Sequence, residues 1–213
     1  MSPELKVIYP KAMFGSLIAR DVPNRRGHEM LEERKRDLER RIRESYADVD
    51  DDGMIQSYRP YYRRWGRMYP IEFQIRTIKG GGNLPQVSVL VDSMFMAEVK
   101  NRILTSGHDL DAIEGDLTFD VSDGGERYLK LNGNEQALKK GDVILRDEDG
   151  ILASVLYGPA RRTSIASETR NALYFAWCPY GIDEELIKAH TEDILNNLRL
   201  VYEKTDSTIQ IHL

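Results

Sequence analysis

Two stretches of this chain bring chemistry-bearing side chains close together. The first is Arg161-Arg162-Thr163-Ser164-Ile165-Ala166-Ser167-Glu168-Thr169-Arg170-Asn171, dense in hydroxyls and charge. It stands between two apolar runs, and a polar loop held between core strands is where binding residues concentrate. The bland alternative is a surface connection built from ordinary turn residues. The second is Tyr58-Arg59-Pro60-Tyr61-Tyr62-Arg63-Arg64-Trp65-Gly66-Arg67, with four arginines, four aromatics and no acid. Guanidinium forks pair with phosphates, and aromatic faces stack on unpaired bases, so this window predicts RNA contacts through Arg59, Arg63, Arg64 and Arg67, with Tyr61, Tyr62 and Trp65 as stacking residues. Its alternative is an arginine–aromatic packing segment whose cation–π contacts stay inside one molecule.

The elements that must position these residues follow from periodicity. Two apolar runs flank Asp149-Gly150, a dipeptide suited to positive φ in a tight turn, which predicts a β-hairpin over Gly141–Tyr157. Leu117–Val121, Tyr128–Leu131, Val143–Arg146, Ile151–Tyr157 and Ala172–Cys178 have strand character, with Gly124-Gly125 and Asn132-Gly133 as turns. Leu5–Tyr9 and Phe14–Ala19 predict short strands, and Thr208–Leu213 a closing one. His28–Tyr46 has a narrow stripe of Leu31, Leu38, Ile42 and Tyr46, which predicts a surface helix with a solvated charged face. Asp48–Gly53 opens like a calcium loop but lacks the glutamate its twelfth position requires, so it is expected to be an acidic linker. Gly80-Gly81-Gly82 lacks the Gly-Lys-Ser/Thr of a phosphate-binding loop and predicts a flexible join. A helix is expected from Pro85, with Val87, Leu90, Val91, Met94 and Phe95 on one face. Gly107–Asp111 predicts a turn, and Asp183 caps a last helix carrying Leu186, Ile187, Ile194, Leu195 and Leu198. The fold class is α+β, with a β-rich core of mixed or antiparallel strands over Asp116–Cys178 and the helices packed outside it.

The 213 residues are 41% hydrophobic and 31% charged, as in a globular protein, with no apolar run long enough to cross a bilayer. The start Met1-Ser2-Pro3-Glu4 lacks a basic-then-apolar signal, and a cytoplasmic location is expected. Cys178 is the single cysteine, which excludes a disulfide framework and a cysteine-rich zinc site; without a sequence partner it predicts a small buried residue. His28, His108, His190 and His212 lack metal spacing, so neither metal nor cofactor is expected. The net charge of −5 argues against nonspecific coating of nucleic acid but leaves room for a local basic patch.

An ordered series then stands out: Val91-Asp92, Gly107-His108-Asp109-Leu110-Asp111-Ala112-Ile113-Glu114-Gly115-Asp116-Leu117, Gly125-Glu126, Leu131-Asn132-Gly133, Gly141-Asp142-Val143-Ile144, and Ser167-Glu168-Thr169-Arg170-Asn171 before a strand. It resembles the B3/4 domain of the bacterial phenylalanyl-tRNA synthetase beta chain over roughly 95 residues, in order and spacing together. The resemblance implies one B3/4-like domain over 1–213, with 83–178 as the matched core and 1–82 as an N-terminal helix and strand extension. It further implies a cleft for the acceptor end of tRNA, and tRNA or aminoacyl-tRNA as partner. In the synthetase this domain hydrolyses wrongly attached amino acid. Four places differ here. Phe95 stands where the family has an asparagine, Ser106 where it has the editing histidine, Val155-Leu156 where it has Gly-Gly, and Phe175 where it has the glutamate that reads a tyrosine hydroxyl.

Ester hydrolysis of aminoacyl-tRNA needs a placed water, oxyanion donors and an oriented ester. On the implied cleft, His108 is the candidate base, with Thr163 and Ser164 as further catalytic candidates. Ser106, Arg161, Arg162, Thr169 and Asn171 are the candidate substrate-binding residues. A trans-acting deacylase and a non-catalytic binding module for RNA or a small acyl ligand are both compatible with these residues. His108, Asp109, Asp111, Thr169 and Asn171 each have a plain structural alternative as satisfied core, turn or cap residues.

Overall fold

The computed structural model describes residues 1–46 and 48–212. The chain runs α1 (Pro3–Ile8), β1 (Met13–Arg20), α2 (Glu29–Ser45), a 3₁₀ turn (Val49–Asp51), α3 (Gly53–Arg63), α4 (Pro70–Lys79), α5 (Val89–Asn101), β2 (Thr105–Asp109), a 3₁₀ turn (Leu110–Ala112), β3 (Thr118–Val121), β4 (Arg127–Leu129), β5 (Glu135–Ala137), β6 (Val143–Asp147), β7 (Gly150–Ser154), β8 (Gly158–Pro159), β9 (Ala172–Cys178), α6 (Glu184–Arg199) and β10 (Asp206–His212). Every strand pairing among the described residues is antiparallel, in sheets ordered β10-β1-β9-β2, β3-β6-β7-β8 and β4-β5. The α+β expectation holds, and no parallel sheet is present among these residues.

The two larger sheets meet through aromatic side chains. Phe119 of β3 stacks on Phe14 of β1 at 3.9 Å between ring centroids and meets Phe175 and Trp177 of β9 edge-on at 5.1 and 5.8 Å. Edge-to-face and offset pairs add stabilisation beyond the apolar area they bury. The other face of the first sheet carries α5 and α6. There Gly15 is required, because a Cβ would stand 2.5 Å from Ile187 Cγ2 of α6.

Several expected elements take a different form. Leu5–Tyr9 is helix rather than strand: Ser2 accepts from Leu5 N–H, Pro3 fits the first helical turn, and Leu5 and Tyr9, one turn apart, are both buried. The helix expected from Pro85 starts at Val89, capped by Ser88, and Val87 lies outside it, exposed. Gly107–Asp109 lies in strand β2, because Thr105–Asp109 pairs with Ala172–Ala176. The β6–β7 hairpin forms, but its turn is Glu148-Asp149. Gly150, at φ +130°, pairs opposite Asp147, whose carboxylate accepts the N–H groups of Asp149 and Gly150. The acidic stretch is structured, with Asp48 capping the 3₁₀ turn and Asp52 capping α3. Helix α4 follows directly where no element was expected, and its end forms the Gly80-Gly81 turn. Leu213, the end of the expected closing strand, lies outside the described residues.

Helix α2 is not merely a solvated strut. Lys35 and Glu39, on its expected charged face, are 1% and 0% exposed. Lys35 Nζ donates to Asp92 of α5 at 2.9 Å and to the Pro85 carbonyl at 3.0 Å, while Glu39 accepts from Leu84 N–H at 2.6 Å. A buried ion pair supplied with these extra hydrogen bonds can exist without a large desolvation deficit, and removing one partner would cost roughly 3–5 kcal/mol. Asp92, part of the Val-Asp of the ordered series, thus ties α2 to α5.

Candidate functional site

Strand β2 brings Ser106 and His108 beside Phe175 and Leu173 of β9, and the loop between β8 and β9 brings Thr163 against them. His108 is fully buried and both ring nitrogens are engaged, Nδ1 with Thr163 Oγ1 at 2.9 Å and Nε2 with Ser106 Oγ at 3.0 Å. Ser106 Oγ also accepts from Trp177 Nε1 at 2.9 Å. Burial, reinforced by the Arg162 charge, pulls the imidazole down to about 3, so it stays neutral at physiological pH. Thr163 is likewise 0% exposed. A general base must reach the proton it takes, directly or through one water. These side chains reach only one another, so the expectation of catalysis by His108 and Thr163 is corrected to a closed hydrogen-bonded core. Ser164 is half-buried and donates to the Arg161 carbonyl at 2.8 Å, a turn contact rather than a catalytic one.

The neighbouring candidates mostly fasten the loop. Thr169 Oγ1 donates to Asp109 at 2.6 Å, and Asn171 Nδ2 donates to Asp111 at 2.9 Å while its Oδ1 accepts from Asp21 N–H at 3.1 Å. Arg162 is held by Asp147 at 2.7 Å. Ser106, Val155, Leu156 and Phe175, at places where the resemblance puts specificity elements, are buried at 3–4% exposure. Arg161 alone of the expected substrate-binding residues stays open. It lines a groove of about 560 Å³ with Arg127, Tyr128, Asp149 and Arg162, where Asp149 pairs with Arg162 at 3.4 Å rather than with Arg161.

The arginine–aromatic window divides by helical periodicity. Ile55, Tyr58, Tyr61 and Tyr62 form the buried face of α3. Tyr58 donates to the Trp177 carbonyl at 2.7 Å, Tyr61 to Asp142 Oδ1 at 2.6 Å, and Tyr62 to the Val155 carbonyl at 2.8 Å. The helix is thereby bolted across both large sheets. At 0% and 1% exposure Tyr61 and Tyr62 cannot stack on a base, which corrects that expectation. Asp142, which also accepts from Ser154, is pushed up to about 6 by burial.

The other face of α3 and the turn after it point outward. Arg63, Arg64 and Arg67 are exposed, and none makes an ion pair among the described residues. Arg64 Cζ stands 4.7 Å from the half-buried Trp65 ring and Arg67 Cζ 4.5 Å from Tyr157. Arg59 differs. Its guanidinium makes two bonds to Glu72, at 2.9 and 3.0 Å, and one to Asp50 at 2.5 Å. Two residues outside the window join this surface. Tyr180, 39% exposed, packs on Tyr9 and Tyr61, and Arg76 of α4 shares Glu72 and Asp50 with Arg59. The Glu72–Arg76 spacing of one helical turn was the available signal for Arg76. Tyr180 is adjacent only in three dimensions. No group of three or more histidine, cysteine or acidic side chains is placed to hold a metal ion among the described residues, and no helix is long and apolar enough to cross a membrane.

Comparison with known proteins gives a consistent set of relatives. The model of the B3/4 domain family matches residues 70–192, more than half of the chain. The phenylalanine–tRNA ligase beta subunit of Mycoplasma pneumoniae is 30% identical over 91 residues, which are 43% of this chain and 11% of that protein. The corresponding subunit of Fusobacterium nucleatum is 29% identical over 84 residues, 39% of this chain and 10% of that protein. The match thus spans about a tenth of these relatives. Among solved structures, an N-terminal fragment of the phenylalanyl-tRNA synthetase beta subunit from Pyrococcus horikoshii superposes with a TM-score of 0.50 at 13% identity, covering 96% of this chain and 48% of that one.

Proposed function

Because this chain belongs to the B3/4 domain family, we propose that it is a tRNA-linked RNA-binding protein that recognises tRNA or aminoacyl-tRNA without cleaving the ester through His108. One observation carries this reading: Arg63, Arg64 and Arg67 stand exposed and unpaired by acids, beside Trp65, in a chain of net charge −5. Local cation density of this kind supplies most of the affinity for a phosphate backbone even where total charge is negative. The relatives, named as tRNA ligase subunits, supply the class of RNA. The engaged ring nitrogens of His108 argue against hydrolysis there. A cytoplasmic location follows from such a partner.

A panel of correctly and wrongly charged tRNAs tests the proposal. The expected outcome is salt-sensitive binding with no ester cleavage above the spontaneous rate. Cleavage abolished by His108→Ala in a folded protein would restore the deacylase reading. Absence of tRNA binding at low salt would remove the RNA reading altogether.

A further inference from the structure

Between α3 and α4 lies a hollow of about 460 Å³ lined by Asp50, Arg59, Arg63, Arg67, Glu72 and Arg76 together with Gly66, Met68 and Tyr69. Its four arginines face only two acids. Glu72, 5% exposed, sits on the inner side and binds both Arg59 and Arg76, each at 2.9 Å through Oε1. Asp50 sits on the outer side, its side chain 62% exposed. A single oxygen, Oδ1, bridges the same two guanidiniums at 2.5 Å to Arg59 and 3.2 Å to Arg76. Arg63 and Arg67 reach the hollow with no acid of their own among the described residues.

We propose that this hollow is a phosphate site that Asp50 keeps closed, its carboxylate standing between Arg59 and Arg76 where a phosphate oxygen would bind. The inference rests on the RNA-binding reading for the source of the phosphate, not for the site. Two guanidiniums held in place by a buried glutamate and bridged outside by one carboxylate oxygen form a preorganised anion cradle. An exposed ion pair such as those of Asp50 contributes little to stability, because solvent screens it. A phosphate offers more acceptor oxygens than that carboxylate, can engage a guanidinium fork through two bonds, and can also be reached by Arg63 and Arg67. It displaces Asp50, whose main chain stays anchored by Gln56 Nε2 donating to the Asp50 carbonyl at 2.8 Å. Asp50 thus acts as an internal competitor that sets how strong a phosphate ligand must be.

The test compares wild type, Asp50→Asn and Arg63→Ala/Arg67→Ala, using inorganic phosphate and tRNA as separate probes and thermal melting as the folding control. In Asp50→Asn, inorganic phosphate should bind about two- to fivefold more tightly, the ratio equivalent to losing one exposed competing pair. The slope of log tRNA affinity against log salt should steepen by about one, as for one added phosphate contact. The double arginine variant should weaken phosphate binding several-fold in either background, through the loss of the two added guanidiniums, while melting as wild type. Unchanged phosphate affinity in Asp50→Asn, or affinity equal to wild type in the folded double variant, overturns the proposal. If phosphate responds as expected while tRNA fails to bind at any salt, the phosphate site stands and the RNA reading falls. If tRNA binds normally and Asp50→Asn alters neither probe, the RNA reading stands and the phosphate site falls.

Discussion

The Ser106–His108–Thr163–Trp177 cluster and the Arg59–Arg67 segment contain equally reactive residue types, and the fold treats them oppositely. In the first, every polar atom that could act on a ligand is matched by another within the same core. In the second, the tyrosines are consumed by the core and Arg59 by Glu72 and Asp50, while Arg63, Arg64 and Arg67 are left without an acid among the described residues. A functional side chain is therefore marked less by its chemistry than by having no partner inside the protein. Excess donors beside a rigid scaffold can meet a ligand. Saturated donors can only stabilise the fold.

That contrast can be broken by substitution. The largest effect is expected at the closed cluster. His108→Ala would leave Ser106 and Thr163 hydroxyls without their buried partner and open a cavity, costing about 2–4 kcal/mol of stability. The tRNA affinity of the folded fraction should be unchanged, as chemical denaturation combined with a binding titration will show. A loss of activity without a loss of stability would place His108 among functional groups after all. Next is Asp142, which anchors the arginine-bearing helix through Tyr61. It binds its proton up to about pH 6 when folded but only to about pH 4 when unfolded. The folded state thus holds more protons across that window, and stability must fall as pH rises through it, by about 3 kcal/mol in total. Asp142→Asn should flatten that part of the stability–pH curve relative to wild type, whereas an unchanged curve would show that Asp142 titrates normally.

Two smaller effects belong to the open surface. Trp65→Ala should weaken tRNA binding by about 1–3 kcal/mol with little change in salt slope, as for loss of one stacked base. Arg63→Ala/Arg64→Ala should leave the melting temperature nearly unchanged and lower the salt slope by about one to two units, roughly one per lost phosphate contact. A fall in melting temperature with an unaltered slope would mean that these arginines pack like the tyrosines beside them. The RNA contact would then move to Arg161 and its groove.

Much of the fold was legible because it rests on local periodicity. The Ala172–Cys178 run is β9 to the residue, Asp183 caps α6, and the β6–β7 hairpin forms where apolar runs flank a turn. The errors arose where two periods fit a short segment. Leu5–Tyr9 alternates like a strand, but Ser2 and Pro3 start a helix. Gly107–Asp111 has turn composition, and Leu110 and Asp111 do turn, but β9 offers a strand edge that pairs with Gly107–Asp109. At the site, the burial of Tyr58, Tyr61 and Tyr62 was readable in principle, since with Ile55 they fall on one helical stripe. The engagement of His108 by Thr163, 55 residues away, and the competition of Asp50 for Arg76 were not, because contacts across such separations leave no periodic trace.

The place of β1 in its sheet has a consequence in time. This strand, Met13–Arg20, lies between β9 and β10, pairing with Ala172–Cys178 on one side and Asp206–His212 on the other. On a ribosome adding roughly 5–20 residues per second, it emerges roughly 10–30 s before its first partner strand exists. Throughout that interval Phe14 and Leu17, fully buried in the finished protein, have no sheet to enter. Closing so long a loop is also entropically slow, so the principal sheet is expected to be the last part of the molecule to form. A nascent chain stalled before residue 172 should therefore engage chaperones through the Met13–Arg20 segment, and release them only when β9 arrives to pair with β1.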